Sequence, residues 1–136
     1  MLSPRRQRGL YFGIALLVIP VGLLARGFRS GADASTPIGF IATYLGDTLW
    51  AVLFFFVFAG CFVRWRTLQL ASLTLAVTLG IELSQLYQGQ PLHALRSVTA
   101  IRFLIGSDFL WSDVACLCAG TAAACAMHRL LPRTRT

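Results

Sequence analysis

The sequence predicts an all-α membrane protein: a four-helix transmembrane bundle with both ends on the cytoplasmic side (N-in/C-in) and a short interfacial or re-entrant half helix between the third and fourth helices. Three observations predict it. Four apolar runs are near the length a bilayer requires. Hydrophobic residues make up 57% of the chain and charged residues 12%, where a soluble domain carries roughly 25% charged. The cations lie between the apolar runs, where membrane proteins keep them. A soluble fold of 136 residues buries too small a share of its surface to hide this much apolar area. The chain is long enough for one integral membrane domain over residues 1–136.

The first run, Gly9 to Ala25, follows Arg5, Arg6 and Arg8. Its rival reading is a cleaved leader, because Ala32-Asp33-Ala34 has the form of a cleavage site. Arg26 and Arg29 separate that site from the apolar run, which favours a retained helix bent at Pro20. Residues Arg26 to Pro37 are small, polar and rich in helix breakers, so they read as a loop. The second span is Ile38 to Val63. It exceeds what a bilayer needs, which implies tilt or a first turn standing above the hydrocarbon. Arg64-Trp65-Arg66 closes it as a tight turn with an interfacial aromatic. The third span is Thr67 to Tyr87.

Gln88 to Asp108 holds Pro91, Arg96, Arg102 and Gly106, with its apolar residues in short pieces, and this suits the half helix. The fourth span is Phe109 to Leu131. Within it Gly120 and Ala124 are four apart, and Ala115, Ala119 and Ala123 form a second ladder. Small residues of this kind let helices approach closely. Eight arginines fall on the side of the two termini and the Arg64–Arg66 turn, against four on the other, which sets the orientation.

The net charge of +7 comes from twelve arginines. They form no stripe on one face, so nucleic-acid binding is not expected. Cys61, Cys116, Cys118 and Cys125 all lie in apolar runs and read as small packing residues. His93 and His128 have no partner at metal-ligand spacing, and no metal or cofactor is expected. Ser84 and Ser112 lack a nearby base, so no catalytic nucleophile stands out and enzymatic activity is left open.

The informative residues are carboxylates inside apolar runs: Asp47, Glu82 and Asp113. A charge at a helix centre costs about 2.5–3.5 kcal/mol on insertion scales, so such groups face the bundle interior. From the outer helix ends, Glu82 lies roughly 8 Å deep and Asp113 roughly 6 Å deep at ~1.5 Å per residue. Asp47 lies about 14 Å into a run that is too long, so its true depth is less. All three thus belong to the outer half of the membrane. Thr74, Thr78, Glu82 and Gln85 form one helical stripe. Asp113, Cys116, Gly120 and Ala124 form another, and Thr43, Tyr44 and Asp47 share a face of the second helix. The loop after the third helix brings Arg96 and Arg102 to the same level.

Fastening of helices by hydrogen bonds and ion pairs accounts for any one of these residues, at about 0.5–2 kcal/mol each. It accounts less well for three acids against one or two arginines. An excess carboxylate in low dielectric must be protonated, hydrated or matched by a cation.

The segment Ile81-Glu82-Leu83-Ser84-Gln85-Leu86-Tyr87, then Leu95-Arg96, then Phe109-Leu110-Trp111-Ser112-Asp113 and Gly120, resembles an uncharacterised bacterial membrane family, the domain of unknown function twenty-eight-oh-nine. Tyr44 to Ala51 (YLGDTLWA) looks like that family's earlier motif. The pattern Glu82, Gln85, Arg96, Asp113 and Gly120 also resembles the VanZ-like membrane proteins. It departs from them around Asp47, which stands without their Lys and His, and at Cys116–Leu117, where they carry Asn. The resemblance implies a multi-pass protein of the bacterial cell (inner) membrane acting in the cell envelope.

The expectation that follows is a ligand-binding or functional polar cluster of Asp47, Glu82, Gln85, Arg96 and Asp113, binding or modifying an envelope lipid or cell-wall precursor at the outer leaflet. A structural or accessory subunit, with a homo-oligomer or another membrane protein as partner, is the alternative. A small proton-coupled carrier is the third reading.

Overall fold

The computed structural model describes residues 3–29, 36–85 and 111–131. Among them are four helices and no strand: α1 (Pro4–Arg29), α2 (Pro37–Cys61), α3 (Thr67–Gln85) and α4 (Trp111–Leu130). Three segments are long and apolar enough to cross a membrane: Pro4–Ala25, Tyr44–Cys61 and Thr67–Ser84.

α1 starts at Pro4, five residues before the apolar run, so Arg5, Arg6 and Arg8 belong to its first turns. The local chemistry favours an early start. Pro4 takes the first helical position, where its missing N–H costs nothing. The hydroxyl of Ser3 accepts from the N–H of Arg6 at 3.4 Å, and the Ser3 carbonyl accepts from Gln7 at 3.0 Å. An apolar run reports the hydrocarbon-facing part of a helix and not its ends. α1 continues through Pro20 to Arg29.

The α2–α3 connection is the predicted tight turn. Phe62 and Trp65 stack at 4.4 Å across it, and the Gln69 side chain caps α3 by accepting from the N–H of Arg66 at 2.9 Å.

α2 is the central helix and packs against the other three. α1 runs antiparallel to it, with the Phe12 ring laid on Gly60; a Cβ there would meet ring carbons at 2.8–3.0 Å. α4 runs parallel to α2, because Gly120 lies against Thr48 and Ala51 while His128 reaches Phe55. The bundle is therefore up-down-up-down. α4 is less apolar than α2 and α3, since it carries Ser112, Asp113, Thr121, His128 and Arg129 among small residues. Its length of 20 residues gives about 30 Å at ~1.5 Å per residue, and it lies beside α2 over that depth.

The core is a layer of Tyr11, Ala15, Val52, Phe55, Phe56, Ala59, Leu70 and Ala124. Phe55 and Phe56 are both fully buried and meet edge to face at 5.6 Å. On α4 the predicted Cys116–Gly120–Ala124 face is the buried one. The second ladder, Ala115, Ala119 and Ala123, is exposed. Successive residues differ by about 100° around a helix, so only one of two adjacent rows can face the same neighbour. Large apolar side chains point outward from α1, among them Leu16, Leu17 and Leu24, as lipid-facing positions do.

Candidate functional site

Two of the predicted carboxylates lie near one buried thiol. Asp47 stands on α2 and Asp113 in the first turn of α4. Between them is the buried Cys116, whose thiol is in hydrogen-bonding reach of Thr48 and close enough to both Asp47 and Asp113 for their charges to act on it. Gly120 creates the approach. Its Cα rests against the Thr48 carbonyl, and an added Cβ would also lie 3.0 Å from that of Ala51. No side chain larger than hydrogen fits there, so the glycine sets how near Asp113 and Cys116 come to α2. Thr48 donates to the Tyr44 carbonyl at 2.8 Å, which fixes its rotamer beside Asp47. Ser112 donates to Asp113 Oδ1 at 3.1 Å.

Glu82 extends the buried Thr74–Thr78 stripe of α3 by one turn. The two threonines use their hydroxyls within their own helix, donating to Leu70 and Thr74 carbonyls at 2.8 Å each. They therefore add no free donor to the site. Glu82 is half-buried, and one oxygen each of Glu82 and Asp47, Oε2 and Oδ2, is shut away from solvent. Both side chains have interaction partners. The side chain of Gln85, Arg96 and the expected half helix between α3 and α4 lie outside the described residues. Among the described residues no group of three or more His, Cys, Asp and Glu is placed to hold a metal ion. Cys61, Cys116, Cys118 and Cys125 are free thiols.

A second polar node, absent from the sequence reading, sits at the opposite end. His128 is buried, with Nδ1 3.1 Å from the Thr67 hydroxyl. Its ring lies 5.3 Å from that of Tyr11 and 5.5 Å from that of Phe55. Gln7 donates to the Tyr11 hydroxyl at 2.7 Å, and both residues are buried. One histidine thus touches residues from each of the other three helices. Its only sequence signal was Gln7 and Tyr11 one turn apart at the start of α1; the Thr67 partner is 61 residues away.

The sequence profile of a family described as "Protein of unknown function (DUF2809)" matches residues 36–121, well over half of the chain. The chain belongs to that family. The DUF2809 match takes in α2, α3 and the first half of α4, and with them Asp47, Glu82, Gln85, Arg96, Asp113 and Gly120. α1 and His128 lie outside it. No solved structure matches the chain.

Proposed function

We propose that this DUF2809 protein binds or modifies a cell-envelope lipid or lipid-linked ligand at an acidic pocket on the outer-leaflet side of a bacterial inner membrane. The observation that supports the reading is that Asp47 of α2 and Asp113 of α4 both lie near the buried Cys116, with Glu82 partly buried on α3. Two carboxylates near one buried thiol, in a poorly solvated place, favour a cationic group beside them. Arg96, in the loop after α3, would hold an anionic group of the same ligand. A zwitterionic head group or a cell-wall lipid intermediate has both charges. α4 crosses the membrane with the other three helices in this reading, termini inside, as the arginine distribution supports.

The test is a deletion strain profiled for outer-leaflet lipids and cell-wall precursors, complemented with Asp113→Asn or Glu82→Gln. The expected result is an altered lipid or precursor pool that neither variant restores, at normal protein level. If both variants restore the pool, or fail only because the protein no longer folds, the reading is wrong.

A structural or accessory subunit is the second reading. It is favoured by the buried Thr67–His128 hydrogen bond, which fastens α3 to α4. In that case substitution at Asp113 lowers the melting temperature and shifts no lipid pool.

A further inference from the structure

The groove between α1 and α2 is lined by Phe12, Gly13, Leu16 and Ile19 of α1 and by Leu53 and Val57 of α2. It has a volume of about 380 Å³ and no charged or polar side chain in its wall. Space of this size is typical of small-molecule ligand sites, which run to roughly 300–1,000 Å³. Phe12 closes one end by resting on Gly60. Gly13 has open space where a side chain would stand.

The arginine-rich end of the bundle begins four residues beyond that closure in each chain segment. Arg8 precedes Phe12 by four residues on α1, and Arg64 follows Gly60 by four, in the turn after α2. Arg5, Arg6 and Arg66 are at the same end, and all five are exposed. Every acidic side chain among the described residues (Asp47, Glu82 and Asp113) belongs to the other end. Trp65, exposed and stacked on Phe62 at this level, is an aromatic of the kind enriched at membrane–water interfaces.

We infer that the α1–α2 groove, open along its side to lipid, and the arginines beyond its Phe12 end form a binding site for an anionic diacyl phospholipid of the leaflet facing the arginine-rich end. One acyl chain lies along Gly13, Leu16 and Ile19, and the phosphate is held by Arg8 and Arg64. The apolar wall selects a chain, and the uncompensated cations select a negative head group. Neither feature draws on the acidic site, which is at the opposite end, so the two proposals stand or fall separately.

The test uses the full chain purified in a neutral detergent and measures thermal melting with dioleoyl phosphatidylglycerol, dioleoyl phosphatidylcholine or glycerol 3-phosphate. Phosphatidylglycerol raises the melting temperature by roughly 5 °C or more, as a ligand well above its Kd does for a chain this size. Phosphatidylcholine gives a clearly smaller rise and glycerol 3-phosphate none. Arg8→Gln with Arg64→Gln abolishes the difference between the two lipids. Gly13→Leu, which fills the open space, and Ile19→Trp, which blocks the groove from an exposed position, each remove most of the phosphatidylglycerol response. Native mass spectrometry of the unsubstituted protein in an equal mixture of the lipids shows retained phosphatidylglycerol in excess and serves if a variant fails to fold. Equal shifts or equal retention of the two lipids would overturn the inference. So would a full effect of glycerol 3-phosphate, or a phosphatidylglycerol response left intact in folded Gly13→Leu or Ile19→Trp protein.

Discussion

Gly120 of α4 rests against the backbone carbonyl of Thr48 in α2, at a separation that leaves no room for a Cβ. A backbone group cannot turn aside as a side chain does. Gly120→Ala therefore forces the two helices apart. We expect a loss of about 1–3 kcal/mol, the range for overpacked cores, read as a lower melting temperature in detergent. Gly80→Ala is the control: nothing lies within 4 Å of the added carbon on α3, and alanine's better helix propensity should stabilise by about 0.5–1 kcal/mol. Equal effects of the two substitutions would show that the contact at Gly120 does not hold the helices in register.

His128 and Thr67 are expected to behave as a pair. Thr67→Val and His128→Ala each remove one side of a buried hydrogen bond. A double-mutant cycle on thermal stability should give a coupling of about 0.5–2 kcal/mol, as for interhelical hydrogen bonds in membrane proteins. A coupling of zero would mean that the two groups are only neighbours.

Phe55 is fully buried and Leu16 is 69% exposed. Phe55→Ala should cost about 3–5 kcal/mol through the cavity it leaves. Leu16→Ala opens no cavity and should stay within about 0.5 kcal/mol. Denaturant or thermal unfolding in the same detergent distinguishes them; comparable losses would mean that α1 buries the face assigned here to lipid.

Cys61 is exposed at the end of α2 beside the Arg64–Arg66 turn. With the termini inside, a membrane-impermeant maleimide should leave it unlabelled in intact spheroplasts and label it in inverted vesicles. The reverse pattern would invert the orientation and move the acidic site to the cytoplasmic leaflet.

Sequence periodicity identified the α4 face with Cys116, Gly120 and Ala124, and the α3 stripe with Thr74, Thr78 and Glu82, because helical spacing is local and polar residues in apolar runs must face protein. The turn at Arg64–Arg66 was legible for the same reason. The early start of α1 was not, since hydropathy marks where lipid begins and not where hydrogen bonding begins. Nor was the choice between two alanine-bearing ladders on α4, because both satisfy the small-residue rule and only the position of α2 decides between them. The His128 node was missed because its partners come from three other helices and none is close in sequence. That Asp47 and Asp113 both lie near Cys116 depended on the same kind of long-range information, and only their common depth hinted at it.

Phe55 and Phe56, sealed between the carboxylate end and the imidazole end, act as a stopper. Asp47 is eight residues from Phe55 along α2, about 12 Å at ~1.5 Å per residue, and Phe55 sits in a packed apolar cluster with His128 against it. The buried hydroxyls that pass beside it, Thr74, Thr78 and Thr121, each donate to a carbonyl of their own helix, so their protons are already committed. Within the described helices, the architecture suits a one-sided receptacle better than a conduit.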